Sequence, residues 1–345
     1  MQIRQATPAD NIQLLRLSSD SGMHGSISLR IERNPYFFSL LDKRGENTTF
    51  VAEKNNEIIG CYSVSKSNVM VNKKPVAVHY VSDFKIDNRH RGGLAGFRLV
   101  HKMKEYLIGC NTDLVMCVVA KGNDKMDPFL TGRTGIPGSQ SMGYFNIFQL
   151  LPSKKLQKMN AYQVEESKMT EEHIKLFNSF QERYQLGKII TPYVAGDTEQ
   201  VLTIRKSNEI VASLSLADTS SIKQNIVFKV SSPLKYLLYF SKAFGFSVPQ
   251  IGESIRMLYI NNFFFRIGHE DAFETLLHYA KNLTHKKNYH FVSIGIHSKD
   301  PINIIMNRFR KFTFYSQGYI TSLKNNQNLI DNIINGIPFE DYSLV

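Results

Sequence analysis

The chain has 345 residues, a length that predicts about two domains rather than one. Hydrophobic residues make up 42% of it, which is enough for globular cores, and no apolar run reaches the roughly 18–20 residues that would span a membrane. The formal net charge of +12 is spread along the chain, without a basic arm or a recognition helix. It therefore indicates a basic surface or an anionic ligand more than a nucleic-acid partner.

The three cysteines, Cys61, Cys110 and Cys117, lie in apolar stretches without C-x-x-C spacing. That pattern predicts buried thiols in a reducing compartment, and neither disulfides nor a metal site. The first residues lead directly into a predicted strand, so no signal peptide is evident. We therefore expect a cytoplasmic protein without a bound metal.

The chain opens with a predicted strand from Ile3, followed by a helix that Thr7 can cap and that has Pro8 in its first turn. The next predicted elements are a short helix and two strands, at residues 36–41, 48–54 and 57–65. Asn55-Asn56 separates the two strands and is a turn signal, which predicts a hairpin.

A long predicted strand, residues 76–86, leads into a turn rich in Arg and Gly and then into an amphipathic helix. Small residues at a helix start let a ligand approach unpaired main-chain N–H groups, and the helix dipole adds partial positive charge, so this turn is a candidate anion site. No Gly-Lys-Ser/Thr follows, which argues against a P-loop, and the G-x-G-x-x-G spacing of a dinucleotide site is absent.

An unbroken apolar run, Leu114–Ala120, predicts a strand that is buried on both faces. Asn123 follows this strand. A short helix is predicted over about 125–130 and a loop over 131–138. A further strand is predicted from Gly143 to about residue 151.

The segment His90-Arg91-Gly92-Gly93-Leu94-Ala95 resembles motif A of the GNAT superfamily of N-acetyltransferases, [Gln/Arg]-x-x-Gly-x-[Gly/Ala]. His90 stands where that motif has Gln or Arg. The order of predicted elements, the position of Asn123 and the Gly-Tyr-Phe triplet at Gly143 agree with the same family. The resemblance covers residues 1–152 and implies the mixed α/β fold of that family.

The second half repeats the pattern of the first. The segment Lys54-Asn-Asn-Glu-Ile-Ile59 reappears as Lys206-Ser-Asn-Glu-Ile-Val211, and the apolar strand 114–120 corresponds to 290–296. Gly143-Tyr144-Phe145 corresponds to Gly318-Tyr319-Ile320. We therefore predict an α/β protein of two tandem GNAT-like domains, 1–152 and 153–345, each a mixed, mostly antiparallel central sheet flanked by helices.

The second copy departs from the first in two places. It has an apolar, helical-looking insertion near 232–245, which we expect to pack on its own domain, or else to form a lid or a surface that touches the other domain. Where the first copy has its Gly-rich turn, the second has Ile267-Gly-His-Glu-Asp271, and those carboxylates would repel a pyrophosphate. We therefore expect a degenerate second domain without a CoA site.

The resemblance implies acetyl-CoA, or another acyl-CoA, as co-substrate. The turn would hold the pyrophosphate, while the central strand and Asn123 would contact the pantetheine arm and the acetyl group. The implied cofactor-binding residues are Phe84, Lys85, Ile86, Arg91, Gly92, Gly93, Leu94, Ala95, Gly96 and Asn123.

Amine acylation also needs a group that takes a proton from the amine and one that protonates the leaving thiolate. Candidates for the base are Asp83, Tyr80 and His79 on the central strand. Side chains alternate along a strand, so His79 and Asp83 share a face and Tyr80 takes the other, unless a bulge intervenes. Asp83 is the first choice because it lies beside the expected thioester.

The general acid is less defined by the sequence. The family often has a Tyr on the helix after Asn123, but here that helix offers Phe129 and Leu130. Tyr144, Ser139 or Ser141, water, or a group from the second domain remain as alternatives. The tail at 339–345 is another, since some tandem members of the family use a C-terminal carboxylate.

We therefore expect an acyl-CoA-dependent N-acyltransferase that acetylates a primary amine on a small molecule or peptide. Two alternatives remain open: a long-chain N-acyltransferase, and an acyl-CoA-binding sensor or scaffold without activity. The sequence names neither the amine nor the oligomeric state.

Overall fold

The computed structural model describes residues 1–19, 22–23, 27–123, 126–132, 137–154, 162–191, 200–230 and 250–345. The first half comprises β1 Gln2–Gln5, α1 Asn11–Ser19, β2 Gly22–Met23, β3 Ile27–Glu32, α2 Ser39–Arg44, β4 Glu46–Lys54, β5 Glu57–Val71, β6 Lys74–Ile86, α3 Ala95–Gly109, β7 Leu114–Ala120, α4 Asp127–Leu130 and β8 Gln140–Leu150. Short 3₁₀ turns precede α1 and follow β6.

The second half repeats much of this order. Its elements are β9 Val164–Ser167, α5 Glu171–Gln181, β10 Gly187–Lys188, β11 Gln200–Lys206, β12 Glu209–Asp218, β13 Gln224–Val230, β14 Met257–Phe265, α6 Glu270–Lys286, β15 Phe291–His297, α7 Ile302–Met306, β16 Lys311–Ser322 and α8 Gln327–Asn335. The predicted insertion near 232–245 lies outside the described residues, and so do residues 155–161, just after the predicted domain boundary at 152.

One large sheet runs through both halves in the order β1-β4-β5-β6-β7-β16-β8-β15-β14-β12-β11-β9, and β10 pairs with β5. Its described neighbours are antiparallel except for β6 with β7 and β14 with β15. The last strand of each half has crossed over: β16 pairs with β7, and β8 pairs with β15. Neither half therefore completes its sheet without a strand from the other.

Local sequence explains the repeated hairpins. Asn55 and Asn56 have φ values of 51° and 61°, and Ser207 and Asn208 have 51° and 67°. Two successive left-handed residues form the turn whose twist matches that of a β-hairpin. Both predicted hairpins are confirmed, as β4–β5 and β11–β12.

Alternation along the strands separates two cores in the first half. Phe50 and Ala52 pack under α3, whereas Val51 between them packs against α1 and α2. The two faces of the sheet are therefore both covered, as the unbroken apolar runs predict. Of the three cysteines, Cys61 is buried and Cys117 is partly buried, but Cys110 is exposed at the end of α3, where the prediction of burial was wrong.

Several described elements were not predicted from the sequence, among them strands β2, β3 and β13 and helix α8. Strands β2, β3 and β13 form a small separate sheet that joins the first half to the second, and α8 packs against β8 and β16. Each strand of the small sheet is short or polar, and β3 pairs with β13 across almost 200 residues of sequence. No described helix is long and apolar enough to cross a membrane.

The chain after α8 crosses the sheet on the side opposite α3. Glu340, Asp341, Tyr342 and Ser343 are all buried there. The Tyr342 ring lies on Gly295 of β15 and beside Phe145 of β8, and its hydroxyl contacts Ser316 of β16. The tail residues thus pack against three strands, β8, β15 and β16, of which β8 belongs to the first half.

Replacing Gly295 with alanine tests how tightly the tail is seated. A Cβ atom at this position would stand 2.0 Å from Cδ2 of Tyr342, so the ring has to move. We expect Gly295→Ala to lower the free energy of unfolding by about 1–3 kcal/mol, measured by urea denaturation.

The matched control is Gly109→Ala at the end of α3, where a Cβ atom meets nothing within 4 Å. That change is expected to be neutral or to stabilise by up to about 1 kcal/mol, because alanine orders more readily in a helix. A Gly295→Ala protein as stable as the control would contradict this placement of the tail.

Candidate active site

The two parallel strands β6 and β7 separate part-way along their length. They pair only from Val78 with Leu114 to Tyr80 with Met116. Beyond Tyr80 the edge of β6 that faces β7 has no strand partner in the part of the chain that the structure describes, so its main-chain groups are available to bind a ligand. The opening lies at the carboxyl ends of both strands, beside the start of α3.

A β-bulge marks the same place on β6. The pairing with β5 shifts between Ser63 opposite Ser82 and Cys61 opposite Lys85, and Asp83 within the shift has a φ of 54°. A bulge redirects the side chains that follow it. The alternation expected for His79, Tyr80 and Asp83 is therefore broken, which is the exception that the strand prediction allowed.

The turn after β6 has the features of an anion site. The main-chain N–H groups from Arg91 to Phe97 have no acceptor among the described residues, and the first turn-closing bond at the helix start runs from the N–H of Arg98 to the oxygen of Leu94, 3.0 Å apart. Gly92 has a φ of 78°, and a Cβ atom there would meet nothing within 4 Å. Open amides at the N-terminus of a 15-residue helix favour a phosphate.

The two arginines of the turn differ in their contacts. Arg91 is exposed, and its Nε is 3.4 Å from the oxygen of Ile86, so its guanidinium remains available. Arg89 pairs with Glu57 at 2.6 Å and Asp87 at 2.9 Å. Of the two full charges that the sequence places in this turn, Arg91 is thus the better placed for a ligand.

Aromatic rings close the space beside the opening. The rings of Phe84 and Phe129 lie 4.6 Å apart, and Phe97 lies 6.3 Å from Phe129. A Cβ atom at Gly96 would stand 3.3 Å from Phe129 and 3.8 Å from Phe84. Phe129 therefore occupies the position after β7 where the sequence lacked a tyrosine, and glycine at 96 lets it pack against α3.

The remaining expected cofactor contacts lie around this opening. Ile86 packs in the core under α3, Leu94 is 66% exposed, and Gly93, Ala95 and Gly96 continue the turn into the helix. Asn123 is exposed in the turn that follows β7. The Lys85 side chain points elsewhere, because its Nζ donates to Ser18 Oγ at 2.6 Å and burial lowers its pKa.

Asp83 and Tyr80 lie in one buried cluster on the face opposite α3. An Asp83 carboxylate oxygen is 2.8 Å from Nη1 of Arg33, and the carboxylate side chain is 5% exposed. Tyr80 lies under the guanidinium of Arg44, whose Cζ is 3.6 Å from the ring centroid. Burial raises the pKa of Tyr80, so this phenol keeps its proton at neutral pH.

His79 and Tyr144 are not brought into that cluster. His79 Nδ1 is 3.0 Å from the hydroxyl of Thr112, at the closed end of the strand pair, and burial lowers its pKa. Tyr144 is 41% exposed on β8, with the Nζ of Lys121 5.5 Å from its ring centroid. Neither residue contacts Asp83, and Tyr144 lies on the strand face away from its buried neighbour Phe145.

Residues 17–134 match the family model described as the acetyltransferase (GNAT) family. The chain carries a GNAT domain. The match includes the opened strand pair, the bulge at Asp83 and the turn at 91–97. No curated protein sequence matches the chain.

Solved structures extend the likeness beyond the GNAT domain. An N-myristoyltransferase from Saccharomyces cerevisiae with bound myristoyl-CoA superposes on 92% of this chain and 82% of its own, with a TM-score of 0.62 and 11% identity. A GCN5-related N-acetyltransferase from Anabaena variabilis superposes on 93% of this chain and 72% of its own, with a TM-score of 0.52 and 10% identity. At such identities the likeness is one of fold, and that fold is two tandem GNAT-like domains.

The second half keeps the opened strands but not the open turn. Strands β14 and β15 pair only from Met257 with Phe291 to Tyr259 with Ser293. At the start of α6, the N–H of Gly268 donates to Glu270 and that of Ala272 to Asp271. The carboxylates thus occupy amides that stay open in the GNAT domain, while the Tyr342 ring covers β15.

The largest group of site residues that the sequence did not reveal is a set of buried charges between the two halves. Arg44 donates to Glu340 and to the oxygen of Leu344, both at 3.0 Å. Lys188 pairs with Asp341 at 2.6 Å. Lys223 donates to the oxygens of Val345 at 2.6 Å and Tyr342 at 3.4 Å. The tail therefore contacts the GNAT domain at Arg44, while a part for its carboxylate in the reaction stays a prediction. No local sequence pattern predicts this cluster, because the residues that pair within it are more than 100 positions apart in sequence.

Lys223 gives this cluster a pH dependence that can be measured. Burial, with the charge of Arg33 as a second cause, lowers the pKa of Lys223 to about 7 in the folded protein. Between that value and the normal range of lysine near 10.4, the unfolded chain binds more protons, so stability increases as the pH rises.

We expect the free energy of unfolding of the wild type, relative to Lys223→Met, to increase by on the order of 2 kcal/mol from pH 7 to pH 9.5. Urea denaturation at both pH values measures this difference, and subtraction of the variant removes other titrating groups. A difference that is constant or falls with pH would show that Lys223 is not buried as described.

Proposed function

We propose that this protein is an acyl-CoA-dependent N-acyltransferase that transfers a short acyl group, acetyl first of all, to a primary amine. The observation that carries the proposal is the open turn at Arg91–Phe97 beside the separated strands β6 and β7. The turn offers unpaired main-chain N–H donors for a diphosphate. The separated strands, close by, offer unpaired main-chain N–H donors for a thioester.

In this proposal the turn residues Arg91, Gly92, Gly93, Leu94, Ala95 and Gly96 hold the pyrophosphate of acyl-CoA. The free edge of β6 at Phe84, Lys85 and Ile86 binds the pantetheine arm and polarises the thioester carbonyl through main-chain N–H groups. Asn123 contacts the arm from the turn after β7. Lys85 contributes through its main chain, because its side chain is engaged with Ser18.

The amine approaches from the buried cluster on the other face. It loses a proton, attacks the thioester carbonyl and forms the amide bond, while the C–S bond breaks and the thiolate of CoA leaves. Asp83 stands at the bulge as the proposed proton acceptor. Tyr80, which carries a phenolic proton in the same buried cluster as Asp83, is the proposed donor to the thiolate. Tyr144, the third candidate, is exposed on β8 and is the weaker choice.

Two measurements on wild type and Arg91→Glu test this proposal. In the wild type, acetyl-CoA should bind in calorimetry, and a panel of amines should include some that release free thiol. In Arg91→Glu the binding should weaken at least about tenfold, since a charge-assisted contact to phosphate is replaced by repulsion.

Lys206→Glu is the matched control, because Lys206 is an exposed cation at the second hairpin, away from the turn. Binding without thiol release by any amine would favour the acyl-CoA sensor. Binding that survives in Arg91→Glu would exclude both the transferase and the sensor at this site.

Acyl length is a separate prediction. The Phe84 ring, on the free edge of β6, lies 4.6 Å from the Phe129 ring, and this aromatic pair beside the opening favours a short acyl group. Phe129→Ala removes one ring, so we expect octanoyl-CoA to gain at least about fivefold in affinity relative to acetyl-CoA, by the apolar area it can then bury.

The control for acyl length is Phe291→Ala, which removes a partly buried ring at the start of β15 in the second half, where it contacts Phe312. A wild type that already prefers octanoyl-CoA or myristoyl-CoA would overturn the short-chain assignment. It would instead support the long-chain alternative, which the fold of the yeast N-myristoyltransferase with bound myristoyl-CoA makes the natural competitor.

A further inference from the structure

We propose that Arg33 is the anion-binding group of the acceptor site, and that the acceptor is an amine that also carries a carboxylate, such as an amino acid. This inference rests on the proposed acyl transfer and adds a substrate class to it. It is carried by a buried guanidinium whose donors are not all used.

Arg33 lies between β3 and α2, and its side chain is 7% exposed. Its Nε and Nη1 atoms are buried without a hydrogen-bond acceptor among the residues that the structure describes. Nη1 is 2.8 Å from Oδ2 of Asp83, but this close approach of opposite charges does not have hydrogen-bond geometry. Buried guanidinium N–H groups are rarely left unpaired, so these donors point to a missing anionic partner.

The neighbouring cations have partners. Lys85 donates to Ser18, Arg44 to Glu340, and Lys223 to oxygens of the tail. The charge of Arg33 also contributes to the lowered pKa values of Lys85 and Lys223, which shows how closely these cations are grouped. An anion that enters this part of the cluster would therefore bind Arg33, because Arg33 still has unpaired N–H donors.

A carboxylate suits Arg33 because the planar guanidinium presents parallel N–H donors to its two oxygens. The adjacent Asp83 supplies the opposite charge at the β6 bulge. An amino acid carries both complementary charges: its ammonium can approach Asp83 while its carboxylate takes the free donors of Arg33. A simple amine would satisfy Asp83 and leave Arg33 unpaired.

The same arrangement would help the amine to react. The surrounding cations disfavour an ammonium, which opposes the stabilising effect of Asp83 and eases transfer of the proton to that carboxylate. Binding the carboxylate to Arg33 supplies the affinity that holds the amine among those cations. The competing explanation is that Arg33 is a counter-ion to Asp83 and binds nothing else.

The test uses product analogues, so it does not depend on turnover. The probes are N-acetylglycine, N-acetylleucine and N-acetylglutamine, each paired with its neutral α-carboxamide, titrated into the wild-type protein by calorimetry. We expect at least one acid to bind about tenfold or more tightly than its amide. Equal affinities within every pair, or no binding by any probe, would overturn the proposal without any variant.

Variants then locate the preference. Arg33→Gln should remove the difference between acid and amide, and Arg33→Lys should retain part of it. Arg16→Gln, which alters an exposed arginine paired with Glu57, should leave it unchanged. A preference that persists in a folded Arg33→Gln protein would show that another group binds the carboxylate.

Thiol release separates this proposal from the proposed activity. With acetyl-CoA, leucine should be a better acceptor than isopentylamine, its decarboxylated counterpart, in kcat/KM. Binding of acids over amides without thiol release from any amine would mean that the anion site exists and the acyl transfer does not. Thiol release with isopentylamine as readily as with leucine would mean the reverse.

Discussion

The separation of β6 from β7 after Tyr80 is the constraint on which the rest of the site depends. A continuous parallel pair would satisfy both strand edges and leave no main-chain donor for a thioester. The bulge at Asp83 belongs to the same feature, because the extra residue turns β6 away and places a carboxylate at the opening. The Gly-rich turn can serve an acyl-CoA only because it starts where this opening ends.

The exchange of last strands explains why both halves persist although one has lost its turn. Strand β16 completes the sheet of the GNAT domain, and β8 completes the sheet of the second half. The tail adds Arg44–Glu340 and Lys188–Asp341 contacts across the sheet. Removing the second half would expose an edge of β7 and uncover Tyr80. The degenerate half therefore has a physical task that does not require a cofactor of its own.

The sequence was sufficient for features set by neighbouring residues. The Asn55-Asn56 turn signal and its repeat at Ser207-Asn208 predict both hairpins, and the apolar run Leu114–Ala120 predicts a buried strand. The anion site at 91–96 stays a prediction. The sequence could not predict features that depend on contacts between residues far apart in the chain. Arg33 meets Asp83 across 50 positions, and Arg44 meets Glu340 across almost 300. Nothing local distinguishes these buried arginines from the many that stay in solvent. The packing of Phe129 could not be predicted either, because it depends on the contact of this ring with Gly96.

The two faces of the sheet attract charge in different ways, and this difference orders the proposed reaction. On the α3 face the positive potential comes from open amides and an exposed arginine, which a highly charged, solvated diphosphate can reach. On the opposite face it comes from buried side chains, which bind strongly only when a partner gives up its water and fits. A cofactor would therefore be held by accessible contacts and an acceptor selected by buried ones. Reaction between them is confined to the opening at Asp83, the point where both faces meet the same strand edge.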